Sequence, residues 1–407
     1  MGNLPILILL AASVAVKDDQ APLRSGCEPG DPVVAQLHGG DAVQIRFALA
    51  GGAVACYKVS VTSQGRTLEG YLPASAIIGL DQFERARGAA PAFDNPQRVR
   101  QDMESLRKDA SGVGGDLASK ATELLQANQP GEALALLEKA LRLNRRDAGV
   151  LSLAGLAAYQ NDQVRRAIDY WNESLALAPS PGVERLRSAA QKELAADQSG
   201  EKLVGIRFLL RYDPGEVAPE QARSLMAMLE EQFGYISEQL GCRADERIIA
   251  VLQGREAYHR ATGSAEWSGG QYDGRIRVAL LDGNGVGRET RRALSHEMVH
   301  ACLANLGSWP AWLHEGMAQK LSGDTLAPAR RAELDAMLRA GGIPRLQNLG
   351  QTFSRMSARH ASVAYTMALR AAELLMDMHG TLGVRNLLQN PDRLSQVAAE
   401  IDRRMRP

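Results

Sequence analysis

The chain has 407 residues with 47 Lys+Arg against 47 Asp+Glu, so no basic field marks a nucleic-acid partner and no charge run marks an electrostatic tail. That length implies roughly two to four domains with ample sequence for buried cores. Its 4 cysteines include no C-x-x-C pair, which excludes a thiolate zinc finger.

Residues 4–16 form an apolar run, short for a bilayer span and the size of a signal-peptide core. Ser13-Val14-Ala15 offers a small-x-small cleavage site, and polar Lys17-Asp18-Asp19 follows, although Met1-Gly2-Asn3 lacks the usual positive charge. Residues 1–26 therefore read as signal peptide and leader, and the protein as exported to the periplasm, cell envelope or medium. A cytoplasmic protein with an apolar leader is the alternative. Residues 33–37, 42–49, 53–61 and 67–72 are strand-like runs broken by Gly39-Gly40, Gly51-Gly52 and Gln64-Gly65. They predict a small antiparallel barrel over 27–82, which Cys27 and Cys56 would staple in an oxidising compartment. Residues 83–115 read as a linker and capping helix, the stretch 85–96 being rich in Ala, Gly, Pro and charge.

A repeat of period 34 follows within 116–199: Ala121 recurs as Gly155, Ala133 as Ala167, Leu137 as Trp171 and Ala140 as Ser174. Two helix pairs are fewer than the roughly three repeats a free-standing stack needs, so residues 95–108 and 183–196 are expected to cap it. From 200 onward the pattern turns mixed. Residues 202–212 alternate as a strand and end at Asp213-Pro214-Gly215; 219–240 is an amphipathic helix with Leu225, Met228, Leu229, Phe233 and Ile236 on one side. Residues 247–252 read as a buried strand, and 269–278 as a turn leading into another. Helices are expected at 327–340, 361–379 and 382–388.

Chemistry concentrates in Ser295-His296-Glu297-Met298-Val299-His300 and in Trp312-Leu313-His314-Glu315-Gly316. Three of the chain's 7 histidines fall in this stretch. Histidines four apart share a helix face and can converge on one metal ion. Glu297, about 100° round the axis from His296, would sit beside the ion's open position as a base. Met298, Val299, Cys302, Leu303 and Leu306 give this helix a buried face. After the turn Gly307-Ser308-Trp309-Pro310, a returning helix brings a third ligand. Adjacent His314 and Glu315 cannot both face the ion, and zinc accepts either group, so ligand chemistry leaves the choice open.

Residues 203–389 resemble the gluzincin metallopeptidases, specifically the bacterial peptidase MA-like group, in H-E-x-x-H followed by W-L-x-E-G-x-A at Trp312, Leu313, Glu315, Gly316 and Ala318. The resemblance implies Zn2+ held by His296, His300 and Glu315, with Glu297 as general base acting on a zinc-activated water. It leaves His314 at a surface or supporting position. It also implies an edge strand before the zinc helix that holds extended peptide, here at 275–281, and an oxyanion donor from the C-terminal half, Tyr365 in preference to His360. Gln319 would support a zinc-bound histidine through its amide oxygen. Gly70-Tyr71-Leu72-Pro73-Ala74 resembles the close of bacterial SH3-like domains, which implies a cell-wall or peptide ligand. The period of 34, closing on Leu177-Ala178-Pro179, resembles tetratricopeptide repeats. They imply a groove for a partner protein, or a spacer packed on the peptidase.

The expected fold class is α+β and multidomain: an SH3-like β-barrel, helical repeats, and a zincin-like domain over 200–407 with a helical C-terminal half. The expected function is hydrolysis of peptide bonds in a peptide or protein substrate. A non-catalytic metal- or peptide-binding scaffold is the alternative.

Overall fold

A computed structural model describes residues 14–406 apart from 27–29, 50–55, 64–65, 82, 84–96, 111, 197–199, 263–268, 283–284, 351, 354–355 and 357. The apolar run up to Ser13, Cys27 and most of the linker lie outside the described residues. Three apolar cores organise the rest.

The first core is enclosed by seven strands: β1 (Ala15–Val16), β2 (Ala21–Arg24), β3 (Val33–Leu37), β4 (Ala42–Leu49), β5 (Cys56–Ser63), β6 (Arg66–Pro73) and β7 (Ile77–Ile78). Every pairing is antiparallel, in the order β3-β2-β6-β5-β4-β1-β7, and register shifts at Leu23/Arg24 and Ile45/Phe47 help curl the sheet into a half-barrel. Val16, Leu23, Leu37, Val59, Val61 and Leu72 fill its interior. The sheet thus reaches back into the segment expected to be leader. Val14 and Val16, then Ala21 and Leu23, are apolar at period two, a strand signal whose first half is submerged in the continuous apolar run.

Six helices surround the second core: α1 (Gln97–Lys108), α2 (Gly112–Gln126), α3 (Pro130–Leu143), α4 (Ala148–Gln160), α5 (Val164–Leu177) and α6 (Pro181–Ala196). The period-34 positions lie inside it: Ala121, Ala133, Leu137, Ala167 and Trp171 are fully buried. The two copies exchange volume. A Cβ on Gly155 would lie 2.3 Å from Trp171 Nε1, so the larger ring of the second copy requires the glycine where the first copy pairs Ala121 with Leu137.

The third core is mixed. Strands β8 (Glu201–Val204), β9 (Phe208–Tyr212), β10 (Ile248–Gln253), β11 (Gly270–Tyr272) and β12 (Ile276–Ala279) form a sheet in the order β11-β12-β10-β9-β8. β10 runs parallel to β9 and β12, while β8 and β11 are antiparallel edges. The single strand expected over 202–212 is a hairpin, turned where Gly205 N–H donates to Phe208 O at 2.8 Å. Helices α7 (Pro219–Leu240), α8 (Arg255–Thr262), α9 (Arg288–Leu306), α10 (Ala311–Leu321), α11 (Pro328–Ala340), α12 (Ala358–Gln389) and α13 (Leu394–Met405) complete this part. Gly380, at φ 59°, breaks α12 between the two helical runs seen in the sequence. The expected substrate platform at 275–281 is corrected: β12 is interior, because residues 270–272, read as part of a turn, form the strand β11 outside it. Among the described residues no helix is long and apolar enough to cross a membrane.

Candidate metal centre

Helix α9 owes its position to its apolar stripe. Leu294, Met298, Val299, Cys302 and Leu303 are buried in the third core, which turns His296, Glu297 and His300 toward the α9–α10 crevice. Asp282 caps its start, accepting from the main-chain N–H groups of Gly287 (3.0 Å) and Thr290 (2.9 Å) and from the Thr290 hydroxyl (2.7 Å). Burial opposes ionisation of Asp282, but these donors hold its carboxyl below the ordinary value. At the other end Trp309 Nε1 donates to Leu303 O at 3.0 Å and closes the turn into α10. Cys302 is disulfide-bonded to Cys242 at the end of α7, which pins the helix two residues beyond His300.

The turn folds α10 back so that Glu315 meets the two histidines. His296 Nε2 lies 3.4 Å from Glu315 Oε2, and His300 Nε2 lies 3.6 Å from Glu315 Oε1. One ligand atom from each residue falls within 4.8 Å of the others. Ligand bonds of about 2.0–2.2 Å in tetrahedral geometry place donor atoms about 3.4 Å apart, so the three residues form a cluster that could hold a metal ion after small side-chain adjustments. Burial, then the neighbouring His296 and His314, holds the His300 imidazole well below its ordinary pKa, in the neutral form a metal requires.

Glu297 flanks this group on the side of β11. A Cβ on Gly270 would lie 2.8 Å from Glu297 Oε1, so β11 passes close to the carboxylate and a side chain there would have to displace it. His314 is not at the surface. It is 1 % exposed, its ring centroid is 5.5 Å from that of His300, and burial, then Arg100, pushes its pKa down to about 3. It stands outside the converging donor set. The expected role of Gln319 is also corrected: its amide nitrogen, at 3.1 Å in each case, donates to Glu315 O and to Tyr365 O, linking α10 to α12. Tyr365 packs its ring edge-on against Phe353, centroids 5.1 Å apart. Gly316 permits the α10–α12 approach, since a Cβ there would lie 2.2 Å from Ala368 O.

The sequence reading missed how the other two cores grip this centre. From the half-barrel, Lys58 Nζ donates to Glu289 Oε2 at 2.5 Å and to Leu281 O at 3.2 Å, and the Tyr71 hydroxyl donates to Glu289 Oε1 at 2.6 Å. From the helical stack, Arg100 donates twice to Ala304 O, at 3.0 and 2.8 Å, near the C-terminus of α9. These are pairs 200 or more residues apart, which no local periodicity reveals. The chain matches no family model, no curated protein and no solved structure in the three comparisons.

Proposed function

We propose that the protein is a zinc-dependent metallopeptidase of the gluzincin type. The observation that carries the reading is the convergence of His296, His300 and Glu315 on one point with Glu297 beside it. These three residues would hold the ion. When bound, zinc would supply Lewis acidity, lowering the pKa of a water towards about 7 and polarising a scissile carbonyl. Glu297 takes the proton from the attacking water and returns it to the leaving amine. For Tyr365 the support is narrower: Gln319 ties its main chain to the ligand helix, and Tyr365→Phe tests its hydroxyl as oxyanion donor through a loss of about 10²-fold in kcat.

Export is part of this reading. Cys242 and Cys302 are paired, Cys56 is disulfide-bonded, and no described cysteine is free, a usage suited to an oxidising compartment.

Glu297→Gln is the decisive substitution. The variant should retain about one zinc per chain by mass spectrometry and lose at least about 10²-fold in hydrolysis of an unfolded protein such as casein. A wild-type protein that binds zinc and cleaves no unfolded protein, or a Glu297→Gln variant as active as wild type, refutes the peptidase reading and leaves the scaffold.

A further inference from the structure

The turn end of the helical stack, formed by the close of α4, the α4–α5 turn and the close of α6, meets the β11–β12 hairpin through a buried charge network. Strand alternation turns Ile276 and Val278 into the third core and Arg275 and Arg277 outward, yet both arginines are buried, at 0 % and 1 % exposed. The stack covers them. Arg275 donates in fork geometry to Glu193, Nη1 to Oε1 at 3.1 Å and Nη2 to Oε2 at 2.7 Å. Arg277 Nη2 donates to the same Glu193 Oε2 at 2.6 Å and to the Tyr159 hydroxyl at 3.0 Å, and its Nε donates to Asp273 Oδ2 at 2.7 Å. The Arg275 guanidinium also lies over the Tyr159 ring, 3.7 Å from its centroid. Arg211 completes the group, bonded to Asp162 at 2.6 Å and to Glu193 at 3.2 Å. The turn residue Gly274, at φ +94°, sits against Gln160, where a Cβ would lie 2.4 Å from the amide nitrogen.

This network is one strand removed from the metal centre. Arg277 is paired with Gln271, and the adjacent residue of that strand, Gly270, is the one at which an added Cβ would lie 2.8 Å from Glu297 Oε1. Removing the carboxylate shared by these two buried guanidiniums takes away the closest anion of Arg275, leaving it Asp162 at 3.6 Å and Asp273 at 3.9 Å, and leaves Arg277 with Asp273 at 2.7 Å, so both cations are buried with less compensation. Resolvating them requires the hairpin to lift from the stack, which moves β11 away from Glu297.

We propose that Glu193 is a positioning residue for the metal centre: by bridging Arg275 and Arg277 it fixes the hairpin whose Gly270 lies close to Glu297, so the helical stack serves its own chain's site. The effect on turnover rests on the peptidase reading above; the effect on the hairpin does not.

The test uses the full chain with Glu193→Gln, Glu193→Asp and Tyr159→Phe. Amide hydrogen exchange across 270–279 should quicken at least about 10-fold in Glu193→Gln, while amides of 294–304 change less than about 2-fold. With casein as substrate, KM should rise about 10-fold with kcat within about 3-fold, and Glu193→Asp should restore part of both effects. Tyr159→Phe, which removes one hydroxyl and keeps the ring, should show the same exchange pattern at smaller amplitude and covers the case in which Glu193→Gln does not fold. Unchanged exchange at 270–279 in a folded variant, or acceleration shared equally by 294–304, overturns the proposal. An inactive wild type with the expected exchange pattern removes only the peptidase reading.

Discussion

Gly316→Ala probes how tightly the metal centre is built. The added Cβ would lie 2.2 Å from Ala368 O, 2.8 Å from Ala368 C and 3.1 Å from Ala372 Cβ. A carbon–oxygen approach is normally no closer than about 3.3 Å, so α10 and α12 must separate by about 1 Å. The obstructing atoms are main chain and cannot rotate away. Overpacking of this kind costs about 1–3 kcal/mol, and backbone obstruction puts this case near the upper figure. The strain falls on the Gln319 bond to Tyr365 O that spans the helices and on Glu315, the neighbouring residue. Ligand constellations need placement within about 0.5 Å, so a 1 Å adjustment should weaken zinc binding at least about 10-fold. Denaturant unfolding and zinc competition with a chelator read both effects. Gly234→Ala is the control: it lies within α7 with nothing within 4 Å of the added Cβ, and should gain about 0.5–1 kcal/mol. If Gly316→Ala matches wild type within about 0.5 kcal/mol and keeps its zinc affinity, the contact is not limiting and the reasoning fails.

Three further outcomes follow from the same geometry. Glu315→Ala should empty the site while His314→Ala keeps about one zinc per chain; the reverse result, read by metal analysis, would overturn the ligand assignment. Replacing both Cys242 and Cys302 by Ala opens a link across 60 residues, worth about 4 kcal/mol by loop-closure entropy, and a denaturant-midpoint change equivalent to under about 1 kcal/mol would show that the link adds little to stability. Burial raises the Glu193 carboxyl, but Arg275 and Arg277 outweigh it and hold the group far below the ordinary value. Its stabilisation is therefore complete above the unfolded value of about 4.3 and lost progressively as pH falls below it. Protection of the 270–279 amides, relative to their intrinsic exchange rates at each pH, should fall as pH drops below about 4.3 in wild type and respond less in Glu193→Gln.

Much of the architecture was legible because its cause is local. The 3.6-residue pattern from Leu294 to Leu303 marked α9, and Gly380 marked the break in α12. The period of 34 identified positions that share one core, with Gly155 set against Trp171. What escaped was non-local or masked by a stronger signal. Gly269-Gly270 looks like a turn because glycine usually is one; here Gly270 is a strand residue paired with Val278, at a place where an added Cβ would crowd Glu297. Arg275 and Arg277 fell in the stretch expected to be an edge strand, and the approach of Glu193 and Tyr159 from the stack explains their burial. His314 seemed peripheral because one residue's rotation takes it off the ligand face, but that rotation points it inward.

The same non-local contacts bear on whether residues 200–407 can be studied alone. Cut from the rest, this segment loses Lys58 and Tyr71 at the first turn of α9, Arg100 at its last carbonyls, and Glu193 between Arg275 and Arg277. It keeps His296, His300, Glu315 and the Cys242–Cys302 link, all within one core. Metal capture and site geometry should therefore separate. The segment should still take up zinc, because every donor is internal to it, but its affinity should fall about 10- to 100-fold, as when supporting contacts around ligands are lost. Adding back residues 97–196 as a separate chain should protect the 270–279 amides, since Glu193 and Tyr159 return together. Zinc affinity of the segment equal to that of the full chain, with the hairpin equally protected, would mean that the third core alone positions the site and that the contacts from the other two are incidental.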